Sequence, residues 1–191
     1  MPPLILCYKP TTKWFYIKCD IQSLGKGERK NSLICPVTFT CLSTWYEEAT
    51  VRKTTAALGG KAYPYSYSYV YRDATMGAVT ILNNGLESPC RIHIFGQAIN
   101  PSWTLVGGAD GKINYTIPRG NKLVIDSSPS SLEISEYTTQ NVFIKNLYQY
   151  SDFSTARFIT IPKGEQTISF SHDGITMLEA YVEVKLLAET V

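Results

Sequence analysis

Between about Met76 and Val191 the chain alternates apolar and polar residues in short runs that turn residues break at close intervals. The runs are Val79-Thr-Ile-Leu82, Cys90-Arg-Ile-His-Ile-Phe95, Lys112-Ile-Asn-Tyr-Thr-Ile117, Lys122-Leu-Val-Ile-Asp126, Gln140-Asn-Val-Phe-Ile-Lys145, Phe158-Ile-Thr-Ile161, Gln166-Thr-Ile-Ser-Phe-Ser171 and Leu178-Glu-Ala-Tyr-Val-Glu-Val-Lys-Leu187. Period-two alternation sends one side chain to a core and the next to solvent, which is the signature of a strand. Many short strands at this spacing predict a sandwich or a barrel. Asn83-Asn-Gly85 reads as a hairpin turn. Gly107 to Gly111, Pro118 to Asn121, Ser127 to Ser131 and Pro162 to Glu165 read as further turns. The expected fold is mainly β.

The first part of the chain is less regular, and the sequence divides near residue 73, into 1–73 and 74–191. Leu4 to Tyr8 and Trp14 to Ile21 read as extended, followed by a polar loop from Ser23 to Ser32. Leu33 to Leu42 is a strong strand pattern interrupted by Pro36, which donates no ladder hydrogen bond. That strand starts after Pro36 or lies at an edge. Glu47 to Leu58 fits a short helix or a strand, and Gly59-Gly60 breaks it.

Composition narrows the function classes. Charged residues are 18% of the 191 and the formal net charge is +2, so the chain carries no basic footprint for nucleic acid. That charged fraction is below the roughly 25% usual in globular proteins, which suits a surface that is partly covered by partners. The N-terminus has neither the basic flank nor the apolar length of a signal peptide. No stretch approaches the ~20 apolar residues of a membrane helix, so no membrane insertion is expected. The five cysteines, Cys7, Cys19, Cys35, Cys41 and Cys90, include no Cys-x-x-Cys pair and read as reduced strand residues, with no zinc site.

A search for chemistry finds little. His93 sits inside an alternating run and His172 in a Ser-His-Asp-Gly turn, both readings structural; a triad also needs a positioned nucleophile. Glu47 and Glu48 are neighbours, so on a strand they face opposite sides, unlike a glycosidase pair. Asp126 ends an apolar run before a Ser/Pro turn and reads as a turn cap. No nucleophile–base pair, metal cluster or phosphate loop can be assembled. The expectation is a non-enzyme with no catalytic residue, no metal and no cofactor.

The sharpest positive signal is Tyr63-Pro-Tyr-Ser-Tyr-Ser-Tyr-Val-Tyr71, in which every odd position is Tyr. In an extended chain those rings share one face. They form either a contact surface, for a subunit or a sugar, or a face packed on the chain's own sheet. Trp14, Trp45 and Trp103 read as core or junction anchors, and Trp45 ends a strand beside a polar turn, where it can face a partner.

The order of several segments resembles the distal tail proteins of long-tailed bacteriophages. In the first part these are Tyr8-Lys-Pro, Trp14-Phe-Tyr-Ile-Lys18, Gly25-Lys-Gly-Glu28 and Val37-Thr-Phe-Thr-Cys-Leu-Ser-Thr-Trp-Tyr-Glu47. In the second they are Asn83-Asn-Gly85, Pro89-Cys-Arg-Ile-His-Ile-Phe-Gly96, Asn100-Pro101, the glycine turn, Leu123-Val-Ile-Asp126 and a long closing strand. The resemblance implies a partial N-terminal ring domain over 1–73, short of the strands that precede the position of Leu4 in that family. It implies a galectin-like antiparallel β-sandwich over 74–191.

It further implies a structural component of the tail tip or baseplate, working as a hexameric homo-oligomer that connects the tail tube protein to the tail-associated hub protein. A receptor-binding protein or cell-surface sugar is an additional partner in that picture. The location implied is the virion tail tip, after synthesis in the host cytoplasm. Residues expected at subunit contacts are Trp45, Tyr46, Tyr65, Tyr67 and Tyr69. The alternative is a carbohydrate-binding sandwich that recognises host cell-surface glycan, with Trp103 as the candidate sugar contact.

Overall fold

The computed structural model describes residues 4–30, 32–52, 77–174 and 178–188. The described chain is almost wholly β. Six strands lie before residue 53: β1 (Leu4–Tyr8), β2 (Phe15–Leu24), β3 (Gly27–Arg29), β4 (Ser32–Ile34), β5 (Val37–Cys41) and β6 (Trp45–Arg52). After residue 76 come β7 (Gly77–Asn83), β8 (Ser88–Phe95), β9 (Ala98–Ile99), β10 (Ser102–Leu105), β11 (Asp110–Lys112) and β12 (Thr116–Ile117). The last six are β13 (Asn121–Asp126), β14 (Glu133–Thr138), β15 (Phe143–Asn146), β16 (Thr160–Ile161), β17 (Gly164–Ser171) and β18 (Ala180–Ala188). Among the described residues one 3₁₀ turn covers Tyr148–Tyr150.

Two antiparallel sheets make the sandwich. The larger runs β1-β2-β6-β18-β8-β13-β14-β15, and the smaller runs β11-β10-β17-β7. Their facing residues form one core: Val79 and Ile81 from β7, Ile92 and Ile94 from β8, Trp103 and Leu105 from β10, Leu123 and Ile125 from β13, Ile168 and Phe170 from β17, and Val182 and Val184 from β18. The alternation that predicts these strands is the alternation that fills the core, because successive side chains point to opposite faces. Each fully buried Ile or Leu contributes about 1.5–3 kcal/mol.

The strands before residue 53 extend the larger sheet. β6 pairs with β18 over eight residues, from Trp45↔Ala188 to Arg52↔Tyr181. One sheet therefore crosses the division near residue 73. The segment from Glu47, open in the sequence between helix and strand, is strand as far as Arg52.

Several elements differ from the sequence reading. Asn83-Asn-Gly85 is not a hairpin: β7 pairs with β17, whereas β8 pairs with β13, β16 and β18. The turn carries the chain from one sheet to the other. Asn83 is buried and donates from Nδ2 to the carbonyls of Leu86 (2.7 Å) and Ile161 (2.8 Å), while its Oδ1 accepts from Gly85 N–H (2.9 Å). Gly85 is needed for lack of space, since a Cβ there would lie 1.9 Å from the Leu187 carbonyl oxygen. The expected strand Lys112–Ile117 is split into β11 and β12. The polar loop expected from Ser23 to Ser32 instead contains β3 and the start of β4.

Strand β14 went unread because its pattern is disguised. Glu136 is fully buried opposite Leu123 on the core-facing side, where alternation calls for an apolar residue. It is held by the Tyr115 hydroxyl (3.0 Å) and by Asn121 Nδ2 (2.6 Å), which replace the hydration it loses.

Candidate interaction surface

The core shared with the smaller sheet draws from the larger sheet on β18, β8, β13 and β14, with Val51 of β6 packed at its border. Register places Leu4, Leu6 and Tyr8 of β1 opposite Cys19, Ile17 and Phe15 of β2, and Cys41 and Phe39 of β5 opposite Cys19 and Ile21. These side chains share one face. Ile17 and Cys19 are buried, but Leu4, Tyr8, Ile21 and Phe39 are exposed. An apolar sheet face that stays in water forgoes about 25 cal/mol for each Å² left uncovered. Contiguous patches of this kind mark contact sites.

Beyond this face β2 and β5 run on into β3 and β4, forming a long hairpin arm. The arm bends at Gly25, whose N–H donates to the Pro36 carbonyl (2.9 Å). A Cβ at Gly25 would lie 2.7 Å from Pro36 Cγ. The bend falls where Pro36 interrupts the strand pattern, so β4 ends at Ile34 and β5 begins at Val37. Leu24 (71% exposed), Leu33 (60%) and Ile34 (46%) line the arm. The outer strand of the sheet, β1, reads Leu-Ile-Leu-Cys-Tyr, and among the described residues it pairs only with β2. An uncharged edge strand of this kind offers its free N–H and C=O groups to another strand.

The two expected contact residues that the structure describes behave differently. Trp45 is half-buried, its ring 6.2 Å from that of exposed Tyr8, and so borders the apolar face. Tyr46 points to the opposite side and is buried in its own chain. Its ring lies 5.7 Å from Tyr16 and under the Lys185 ammonium (5.2 Å). Burial, then the charge of Glu48, holds its hydroxyl pKa above the ordinary tyrosine value. Tyr65, Tyr67 and Tyr69 lie outside the described residues. Trp14 is exposed, with the Lys9 ammonium 5.3 Å from its ring.

The side of the larger sheet that faces away from the core carries a polar network. Arg91 donates to Asp126 (3.0 Å) and Glu133 (3.2 Å), and the Tyr137 hydroxyl also donates to Glu133 (2.9 Å). Asp126 accepts as well from Ser128 N–H (2.8 Å) and the Ser131 hydroxyl (3.0 Å), the turn-capping role expected of it. Beside it His93 is buried, stacked on Tyr181 at 4.2 Å, with Nε2 3.3 Å from Glu183. Burial and the neighbouring Lys122 and Arg91 charges push His93 down to about 3, so it is neutral at ordinary pH. An open groove of about 440 Å³ runs along this side between Lys18, Glu48, Arg91, Asp126, Glu183 and Lys185. Its charges alternate in sign, and Arg91 and Asp126 are paired with each other.

Trp103 is not at the surface. Its indole is fully buried in the sandwich core, and Nε1 donates to the Arg157 carbonyl (2.8 Å). Gly111 lies flat against the ring, and a Cβ there would come within 2.5 Å of it. The ring has no free face on which a sugar could stack, so its expected glycan contact is corrected to a core role. His172 closes a turn, its Nδ1 accepting from the N–H groups of Ile99 and Gly174 (3.3 Å each). The residues that sequence reasoning missed are those of the arm. Leu24, Leu33 and Ile34 flank a polar loop pattern, and only the pairing of β2 with β5 and of β3 with β4 puts them on one hairpin.

No protein-family model matches the chain, and no curated protein does. Among solved structures, a chain from the phage p2 baseplate in its activated conformation with Sr shares the fold, with a TM-score of 0.55 and 17% sequence identity. The likeness covers 98% of this chain and 69% of that one. At that identity the likeness is one of fold.

Proposed function

We propose that this chain is a structural component of a phage tail tip or baseplate, of the distal-tail type, that works by holding copies and neighbours in fixed geometry. The observation that carries this reading is the apolar face of β1, β2 and β5, on which Leu4, Tyr8, Ile21 and Phe39 stay exposed around buried Ile17 and Cys19, together with exposed Leu24, Leu33 and Ile34 on the arm that extends from it. A sheet that leaves Leu4, Tyr8, Ile21 and Phe39 in water, next to an uncharged edge strand, is built to be completed by another chain. The fold shared with a phage p2 baseplate chain supports the same direction. In this reading the chain closes into a hexameric ring at the virion tail tip, each copy presenting two different patches so that rotation repeats one contact. The ring joins the tail tube protein to the tail-associated hub protein and carries receptor-binding parts. The role is architectural, not catalytic. Carbohydrate binding has no comparable support, because the indole offered for it lies in the core.

The test is light scattering on the purified protein across a range of concentrations, with electron microscopy of the same sample. The expected result is a closed assembly with a central hole. Joint replacement Leu33→Ser and Ile34→Ser, both exposed in the single chain, shifts the protein toward monomer while changing unfolding free energy by less than about 0.5 kcal/mol. A wild-type protein that stays monomeric at high concentration refutes the reading.

A further inference from the structure

The base of the hairpin arm carries two cysteines in direct cross-strand register. Cys19 of β2 is opposite Cys41 of β5, and both belong to the apolar face. The Leu42 N–H donates to the Lys18 carbonyl at 2.7 Å. Lys18 and Leu42 share this one bond, the Lys18 N–H donating instead to the Ser43 hydroxyl (2.9 Å), and Cys19 and Cys41, one residue further along each strand, are a non-hydrogen-bonded pair. At such sites Cα atoms approach to about 4.5 Å and side chains are closest. Disulfides span Cα separations of about 4.4–6.8 Å, so a bridge is reachable here without moving the backbone. Cys41 is exposed and Cys19 is buried beside it, and both are free thiols.

The geometry points to a reversible modification site: Cys19 and Cys41 form an intrachain disulfide when the protein meets a small-molecule disulfide, locking the base of the arm. The exposed Cys41 thiolate attacks the external disulfide, forming a mixed disulfide and releasing one thiolate. The Cys19 thiolate then attacks the Cys41 sulfur, expelling the second. The two cysteines are oxidised and the external disulfide is reduced to two thiols, which take up the two protons that the cysteines lose. Cys41 is exposed, and exposed disulfides are the more readily reduced. The site is therefore a responsive latch and not a permanent staple. It ties β2 to β5 at the base of the hairpin, and so holds together the two strands that carry Leu24, Leu33 and Ile34. This chemistry does not depend on the assembly reading.

The test exposes the full chain to oxidised glutathione, followed by thiol titration in denaturant and mass mapping of the digested protein. The expected result is a fall in titratable thiols from five to three and one intrachain crosslink between Cys19 and Cys41. Reduced glutathione in excess reverses it. Cys41→Ser abolishes the crosslink, and Cys35→Ser, at an exposed cysteine between β4 and β5, leaves it intact. Retention of all five thiols, or a crosslink that runs through Cys7 or Cys35, overturns the proposal. Because the wild-type map reads the bond directly, a variant that fails to fold does not shelter the idea.

Discussion

Replacing Trp103 with alanine separates a core role from a surface role. The indole is fully buried and its Nε1–H satisfies the Arg157 carbonyl. Truncating a buried aromatic costs about 3–5 kcal/mol through lost transfer free energy and the cavity left behind. The abandoned carbonyl adds about 1 kcal/mol. With a urea m-value of about 2 kcal/mol/M for a chain of this size, the unfolding midpoint falls by about 2–3 M. Trp14→Ala, at an exposed indole, moves it by less than about 0.5 M.

The partner across from the ring supplies a sharper test. Gly111→Ala places a methyl within 2.5 Å of the indole and costs about 1–3 kcal/mol by overpacking. In the Trp103→Ala background the same change is nearly neutral, because the clashing atoms are gone. Urea unfolding of the four proteins, followed by far-UV circular dichroism, yields that coupling. If the two losses add, or if Trp103→Ala shifts the midpoint by less than about 0.5 M, the packing argument fails and a surface role for the indole returns.

Gly85→Ala drives a Cβ into the Leu187 backbone carbonyl. Backbone cannot swing away as a side chain can, so the inter-sheet corner is lost at a cost above about 2 kcal/mol, read as a lower thermal midpoint. Acidification tests His93. Its ordinary pKa near 6.5 applies to the unfolded chain, and the folded value is about 3. Between those values the unfolded state binds a proton that the folded state does not, so stability is full above about pH 6.5 and is lost as pH falls toward 3. Between about pH 7.5 and 4.5 the unfolding free energy from urea titration should therefore drop more in the wild type than in His93→Phe, by on the order of 2–3 kcal/mol; equal drops contradict the buried neutral histidine.

The β class was legible in the residues themselves. Period-two runs such as Val79 to Leu82 and Cys90 to Phe95 reappear in β7 and β8 because alternation follows from backbone pleating alone. The Asp126 cap was legible for the same local reason: its partners are two and five residues away. What alternation says is that a side chain faces one side or the other. It does not say what covers that side. Trp103 inside the core, the Asn83 turn that changes sheets, buried Glu136 on an apolar face, the eight-residue pairing of β6 with β18 and the partly exposed apolar face of β1, β2 and β5 all depend on contacts between residues far apart in the chain. Such contacts are set by which sheet closes over which, and that is decided only when the whole chain packs.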